Sequence, residues 1–394
     1  MPRSLPAAAR NPFEFGRELA PDELVDREEE LEALARTVAN RGKLFFIGPR
    51  RFGKTSILNA LEHRLAARGA VVLRYDAEAF ENLTLLAQAL LTGAARKLTG
   101  PLTKAGGVVE KFFAKLRPEV NYDLAAHRLT VRIGTATDAR AAAEVPVLTE
   151  VLDGIERLAR GTRKPVAVIL DEFQQVVREG GEAAERQIRA AIQRHRHVSY
   201  IFAGSKTRLL ADLSGDPGRA FWKLGERRFL GPVPRPDFRR HLKRGFESAG
   251  FKTTPEGVER ILDAAEDVPY NVQRLARACW ERLRVRDDRV LSAAAVEEAL
   301  RAVVGSENPA YTQVWTNLTQ AQKKALKAVI EERGEALLAR AVLNRHGLAA
   351  STMQRALKSL DALGIVREDE AEGRIRFRLE DPFFATWLTL AQEQ

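Results

Sequence analysis

The 394-residue chain holds a single cysteine, Cys279, two methionines and six scattered histidines. One thiol excludes disulfides within the chain and thiolate metal clusters, and it fits a reducing cytoplasm. The histidines offer little to a metal: His195 and His197 come closest, but residues two apart on a helix point to different sides. No apolar run approaches the roughly 18 residues a membrane span needs, so no membrane is expected. The opening residues, MPRSLPAAARNPFEFG, lack the apolar block of a secretory signal, and a cytoplasmic location is expected.

Positive charge, by contrast, is in excess. Lys and Arg number 63 against 53 Asp and Glu, for a net charge of +10. Such a balance favours a polyanionic partner, because each phosphate neutralised by a cation releases counterions; a composition generally rich in Arg and Ala is the plainer source of the same excess. Hydrophobic residues at 45% and charged residues at 29% give a soluble globular composition. The length points to two or three domains.

Hydrophobic patterning divides the chain into an N-terminal arm (1–22), an α/β domain (23–232), an all-helical region (233–306) and a winged-helix domain (307–394). In the second region short apolar runs alternate with amphipathic stretches, the signature of a parallel sheet with helices on both faces. Strands are expected at 43–47, 71–75, 166–170 and 199–203, all mostly apolar, as strands buried on both faces should be. The pattern weakens over 99–144, which reads as an insertion with an extra strand at 128–134. Helices are expected at 237–249, 255–263, 270–284 and 292–303, the last capped by Ser292. The final region, from about residue 308, reads as three helices and a hairpin. Leu326, Val329 and Ile330 mark the first helix and 337–343 the second. Ser351 caps the third, which places Met353, Leu357, Leu360 and Leu363 on one face. Strands at 365–367 and 374–379 follow, turning at Glu372 and Gly373.

The segment Gly48-Pro49-Arg50-Arg51-Phe52-Gly53-Lys54-Thr55 matches G-x-x-x-x-G-K-[ST] in full, with the strand KLFFI before it and a helical stretch after it to Arg68. Gly48 and Gly53 let the backbone curl its N–H groups inward onto phosphate oxygens, and the helix starting near Lys54 adds its positive end. Lys54 then faces the β- and γ-phosphates of ATP, and the Thr55 hydroxyl ligates Mg²⁺. Downstream, the apolar run Val166 to Leu170 leads into Asp171 and Glu172, placing two carboxylates at the carboxyl edge of the sheet, where ligands bind in such folds. Asp171 is expected in the Mg²⁺ shell, with Glu172 orienting and deprotonating the attacking water. At the end of the next strand Ser205 suits contact with the γ-phosphate, although Gly-Ser is also ordinary turn chemistry. Arg219, Lys223, Arg227 and Arg228 are candidates for an arginine finger reaching the nucleotide of a neighbouring subunit in an ATP-dependent homo-oligomer.

The chain also resembles a family. Asn11-Pro12-Phe13, Val25 to Leu31, GPRRFGKTS, ILDEFQ, Phe202 to Ser205 and Asp381-Pro382-Phe383-Phe384 look like the archaeal-type ATPases of the AAA+-related clade, which includes the signal-transducing STAND ATPases and lies near the origin-recognition initiators. The resemblance runs from about residue 11 to 388. It implies a P-loop α/β domain, a helical lid and a C-terminal winged helix, and it extends the phosphate cradle to Ser56. It also implies that the segment including Val25 and Arg27 packs near the adenine and that the lid motif at Pro269 closes over the nucleotide. Where the family's lid commonly reads Gly-Gly/Asn-x-Pro, this chain has Glu266-Asp267-Val268-Pro269; Arg274 is the one well-placed lid arginine.

On the third helix of the winged domain, Gln354, Arg355 and Lys358 lie on the polar face, with Arg345 just before it. These side chains suit phosphate and base-edge contacts in a DNA major groove. Winged helices also dock proteins, so a DNA-associated ATPase and a STAND-type signalling switch whose winged helix meets a protein both follow from these residues.

Overall fold

A computed structural model describes residues 10–98, 118–123, 128–133, 144–204, 214–286, 289–371 and 374–392. The chain falls into two compact units, Glu18–Gly231 and a discontinuous one made of Met1–Arg17 with Pro232–Gln394. Among the described residues no helix is long and apolar enough to cross a membrane.

The first unit is built on a five-stranded parallel sheet. Its strands are Lys43–Ile47 (β1), Val71–Asp76 (β2), Val166–Asp171 (β5), Val198–Gly204 (β6) and Glu226–Phe229 (β7), in the spatial order β2-β5-β6-β1-β7. Every residue of β5 and β6 is buried, which is why these strands read as unbroken apolar runs rather than alternating ones. Helices Glu28–Ala39, Lys54–Ala67, Leu83–Leu98, Glu144–Arg160 and Gln174–Arg194 accompany the sheet. Glu28–Ala39 carries three glutamates in its first turn, favourable at the positive end of a helix, and buries Leu31, Leu34 and Val38. On one side of the sheet an aromatic cluster gathers Phe45, Phe173, Phe202 and Phe221, with Phe173 and Phe202 ring centroids 4.4 Å apart.

Four expected strands are present, each within one residue of its forecast ends. The fifth, β7, was not expected from sequence: Glu226-Arg227-Arg228-Phe229 is an edge strand with mostly exposed side chains, so it lacks the apolar run that marks the others. In the 99–144 stretch the described residues form an antiparallel hairpin of Pro118–Asp123 (β3) and Arg128–Ile133 (β4), the second matching the expected extra strand.

His195 and His197 are not on a helix, contrary to the sequence expectation. Helix Gln174–Arg194 ends before them and His195 has extended backbone. Both side chains meet carboxylates of helix Glu144–Arg160. The buried His195 bonds Asp153 Oδ1 through Nε2 and the Tyr200 hydroxyl through Nδ1, each at 2.7 Å. His197 Nδ1 meets Glu156 Oε1 at 2.7 Å, and Glu156 also accepts from the N–H groups of Arg196, His197 and Val198. Burial drives the His195 imidazole toward its neutral form, against the pull of Asp153. Burial opposes charge on Glu156 too, but those N–H donors and His197 outweigh it and hold its carboxyl below the ordinary value.

The second unit begins with helices Arg235–Ser248, Pro255–Ala264, Pro269–Val285 and Ala293–Ser306, which overlap the four expected. Lys252–Thr253 (β8) and Val290–Leu291 (β9) form a short parallel bridge. Thr254 and Ser292 cap their helices, accepting from Gly257 N at 3.0 Å and Ala295 N at 3.2 Å. Phe13, fully buried, packs on Phe246 (centroids 4.7 Å apart) and His241. A side chain at Gly245 would place its Cβ 2.6 Å from the Phe13 ring, so glycine makes room for it. Asn11 donates to the Arg277 carbonyl at 3.3 Å, fixing the same segment.

Glu266 and Asp267 have φ of +48° and +56°, the left-handed conformation that Gly and Asn favour. Their side chains are tied by ion pairs: Glu266 to Arg378 at 3.1 Å, and Asp267 to Arg235 at 2.9 Å. Arg274 is paired with Glu307.

The winged domain has helices Gln320–Glu331, Arg340–His346 and Ala350–Ala362 and the antiparallel hairpin Val366–Ala371 (β10) with Arg374–Leu379 (β11), flanked by helices Asn308–Asn317 and Phe383–Gln392. Three expectations need correction. The second helix lies at Arg340–His346, since residues 337–339 form a turn that buries Leu337 and leaves Leu338 exposed. Ser351 is inside the third helix, whose N-cap is Ala349 with no side-chain bond. Leu363 follows that helix's end at Ala362 and is 59% exposed, while Met353, Leu357 and Leu360 are buried as expected. Phe383, Phe384 and Trp387 close the domain by packing. Tyr311 lies edge-on to Phe384, and Trp387 Nε1 donates to Asn308 Oδ1 at 2.8 Å.

Candidate nucleotide site

The loop 48–53 joins β1 to helix Lys54–Ala67 at the carboxyl edge of the sheet. Two glycines are needed there for different reasons. A Cβ on Gly48 would stand 2.7 Å from Leu230 Cβ, whose backbone N–H bonds Ile47 O, so the close approach of the chain after β7 forbids a side chain. Gly53 caps the helix at φ +87°, a conformation most side chains avoid. Arg51 also sits at positive φ, +68°, within this tight curl. Pro49, Arg50 and Phe52 complete the loop, Phe52 being buried.

Lys54 is 5% exposed, and its ammonium donates to the Pro49 carbonyl at 3.2 Å, folding back across the loop. Thr55 Oγ1 donates to Asp171 Oδ2 at 2.9 Å. Burial pushes the Asp171 carboxyl above its ordinary value, while Lys54 and the Thr55 hydroxyl pull it down. The glycine-rich loop motif and the strand-end acid meet as one cluster, Thr55 and Asp171 lying 116 residues apart.

Glu172 follows at φ +48°, its N–H bonded to Asp171 Oδ1 at 3.0 Å. The turn is pinned to the sheet by Phe173 N–H to the Ala203 carbonyl at 2.9 Å. Gln174 Nε2 donates to Glu172 Oε2, a contact that sequence reasoning missed although Gln174 closes the ILDEFQ run. Asp76 is the register partner of Asp171 on the neighbouring strand, but its carboxylate accepts from Glu78 N–H at 2.9 Å.

Other expected site residues are placed as follows. Ser56 accepts from Leu19 N–H at 3.1 Å and so anchors the segment before Val25, which is half-buried. Arg27 is buried, paired with Glu30 at 2.8 Å and donating to Gly231 O at 3.0 Å; burial lowers its pKa, against Glu30. Pro269 belongs to the other unit, as the first residue of helix Pro269–Val285. Ser205 lies outside the described residues. Of the finger candidates, Arg219 is held by Glu185, Lys223 stands over the Trp222 ring at 4.3 Å, and Arg227 and Arg228 are on β7, with Arg228 3.6 Å from Glu29. In the winged domain Gln354, Arg355 and Lys358 are exposed together, whereas Arg345 pairs with Glu332.

Residues 309–390 match the family model described as "probable winged helix domain". Among solved structures, the chain is similar to a Walker-type ATPase of Pyrococcus abyssi, with 18% identity over 96% of this chain and 99% of that one, at a TM-score of 0.61. It is also similar to the ORC2 protein of Aeropyrum pernix, solved in ADPNP–ADP complexes, with 15% identity over 98% and 99% of the two chains, at a TM-score of 0.54. The chain has the P-loop, AAA+-like ATPase fold with a C-terminal winged helix. At these identities the likeness is one of fold. A comparison with curated proteins finds no match.

Proposed function

We propose that the protein binds ATP with Mg²⁺ at Gly48–Thr55 and hydrolyses it as a switch, associating with duplex DNA through its winged helix. One observation carries this reading: the 2.9 Å bond from Thr55 Oγ1 to Asp171 Oδ2, with the Lys54 ammonium buried in the same loop. Loop N–H groups and Lys54 would hold the phosphates. Two adjacent hard oxygen donors, a hydroxyl and a carboxylate, fit Mg²⁺, which when bound would neutralise charge developing on the phosphates. Glu172 would take the proton of the attacking water as that water's oxygen bonds to the γ-phosphorus and ADP leaves. Asp76 is the weaker base because its carboxylate is turned to its own backbone. Ser205 would contact the γ-phosphate, and Ser56, Val25, Arg27 and Pro269 would border the nucleotide. Arg227 or Arg228, on the exposed edge strand, would serve as finger in an ATP-dependent homo-oligomer.

The exposed triplet Gln354, Arg355 and Lys358 supports DNA as partner, along with the +10 charge. The exposure of Leu363 and the pairing of Arg345 with Glu332 favour a second reading, in which the winged helix docks a protein in a STAND-type switch. The test is ATP binding and turnover in the parent and in Lys54→Ala, each with and without duplex DNA. Nucleotide affinity or turnover should collapse in the variant while the fold survives. Unchanged binding and turnover in Lys54→Ala refutes the site, and a parent indifferent to duplex at low salt moves the winged helix to protein docking.

A further inference from the structure

Gln174 opens helix Gln174–Arg194 with its side chain turned back onto the paired acids. It is 5% exposed; Nε2 donates to Glu172 Oε2, and Oε1 is buried with no hydrogen-bond partner. A buried amide with its acceptor unmet costs stability. A thioether or alkyl side chain of the same length would fill the space without that cost, so packing alone does not account for a glutamine here.

The surroundings show what the amide does. The backbone of the turn is already fixed without it: Phe173 packs against Phe202 and Phe221, and its N–H is bonded to the Ala203 carbonyl. Glu172 is held in the left-handed region, where a glutamate seldom sits, and its own N–H is bonded to Asp171. Gln174 bonds one carboxylate oxygen of Glu172 and so bears directly on the plane in which the other is presented.

We propose that Gln174 is a positioning residue for Glu172, holding the carboxylate in the orientation from which it takes the proton of the attacking water. This rests on the hydrolysis reading above. In the step concerned, the water oxygen bonds to the γ-phosphorus, the bond to the β,γ-bridging oxygen breaks, and the water proton passes to Glu172. Gln174 acts through the carboxylate it bonds. A polar group retained at a cost to folding is the pattern expected of a residue that serves orientation.

The test compares Gln174→Met, which keeps the length and removes the donor, and Gln174→Glu, which keeps the shape and replaces the donor with an acceptor. Melting temperature, ATP affinity, KM and kcat are measured in the parent and in a Glu172→Gln background. In Gln174→Met the melting temperature should equal or exceed that of the parent, with ATP affinity and KM unchanged. Its kcat should fall about 10- to 150-fold, the range for losing a hydrogen bond to a charged group. Gln174→Glu should lose at least as much. In the Glu172→Gln background Gln174→Met should change residual turnover by less than about twofold, because residues acting as a unit are not additive. The proposal is overturned by a kcat within about twofold of the parent, by equal losses in the two backgrounds, or by a fall in melting temperature that accompanies the lost activity. A parent that binds ATP without turning it over sinks the hydrolysis reading and this proposal together; an active parent with an unaffected Gln174→Met sinks only the positioning role.

Discussion

Replacing Thr55 by valine removes one hydroxyl and leaves the shape of the side chain in place. Without ligand, Asp171 loses the donor at 2.9 Å while remaining 2% exposed, so the variant should be less stable than the parent. The larger effect should appear with nucleotide. A hydrogen bond or ligand bond to a charged partner contributes about 1.5–3 kcal/mol, equivalent to roughly 10- to 150-fold in affinity. At a concentration of 100 times Kd, MgATP stabilises the folded form by about 2.7 kcal/mol. For a unit of this size that corresponds to a rise of about 5–10 °C in Tm. If Kd rises about 100-fold, the same ligand concentration yields only about 0.4 kcal/mol, and the shift shrinks to roughly 1–2 °C. The assay is thermal unfolding with ATP, with and without Mg²⁺, for the parent, Thr55→Val and Thr55→Ser. Serine, which keeps the hydroxyl, should retain most of the shift. A full parent-sized, Mg²⁺-dependent shift in Thr55→Val would refute the assignment of Thr55 and Asp171 as a shared metal-binding pair.

Further outcomes follow from the other unit and from the histidine network. Substituting Arg355 and Lys358 together by alanine removes up to two phosphate contacts, so the slope of log affinity for duplex DNA against log salt should flatten by up to about 2. An identical slope in both proteins would assign that face to protein docking, and basal ATP turnover should not move. Burial keeps the pKa of His195 below its ordinary 6.5 when folded, against the pull of Asp153. The unfolded chain therefore binds more protons as pH falls through about 6.5, and stability should decline on acidification from pH 7.5 to 5.5. His195→Gln should flatten that decline without abolishing it, because burial also lowers the pKa of His241. Denaturant unfolding at the two pH values measures this, and an undiminished decline in His195→Gln would exclude the histidine as its source.

Much of the geometry of the candidate site was legible in the sequence because its pattern is local. Gly48, Gly53, Lys54 and Thr55 must be adjacent to form the loop, and Asp171 must end a buried strand, so spacing alone carried both halves. Their meeting at 2.9 Å follows from parallel topology, which places all carboxyl ends on one edge. What was not legible depended on neighbours distant in sequence. Strand β7 has exposed, charged residues and owes its existence to an open edge beside β1. Leu363 continues the helical spacing of Leu360, but Gly364 at φ +68° ends the helix before that spacing can bury it. Glu266 and Asp267 adopt a left-handed turn, held by arginines at 378 and 235 that no local pattern reveals.

The burial of Phe13 has a consequence for biogenesis. Its ring belongs to the core formed with His241 and Phe246, yet during synthesis it leaves the ribosome long before they do. All of Glu18–Gly231 emerges in between, and that unit contains every strand of its own sheet. The P-loop unit can complete its core while the ribosome is still translating, whereas the lid cannot close around Phe13 until Phe246 has been made. Through that interval the Phe13 ring stays without its pocket, so a segment made before the P-loop unit settles only after that unit is complete.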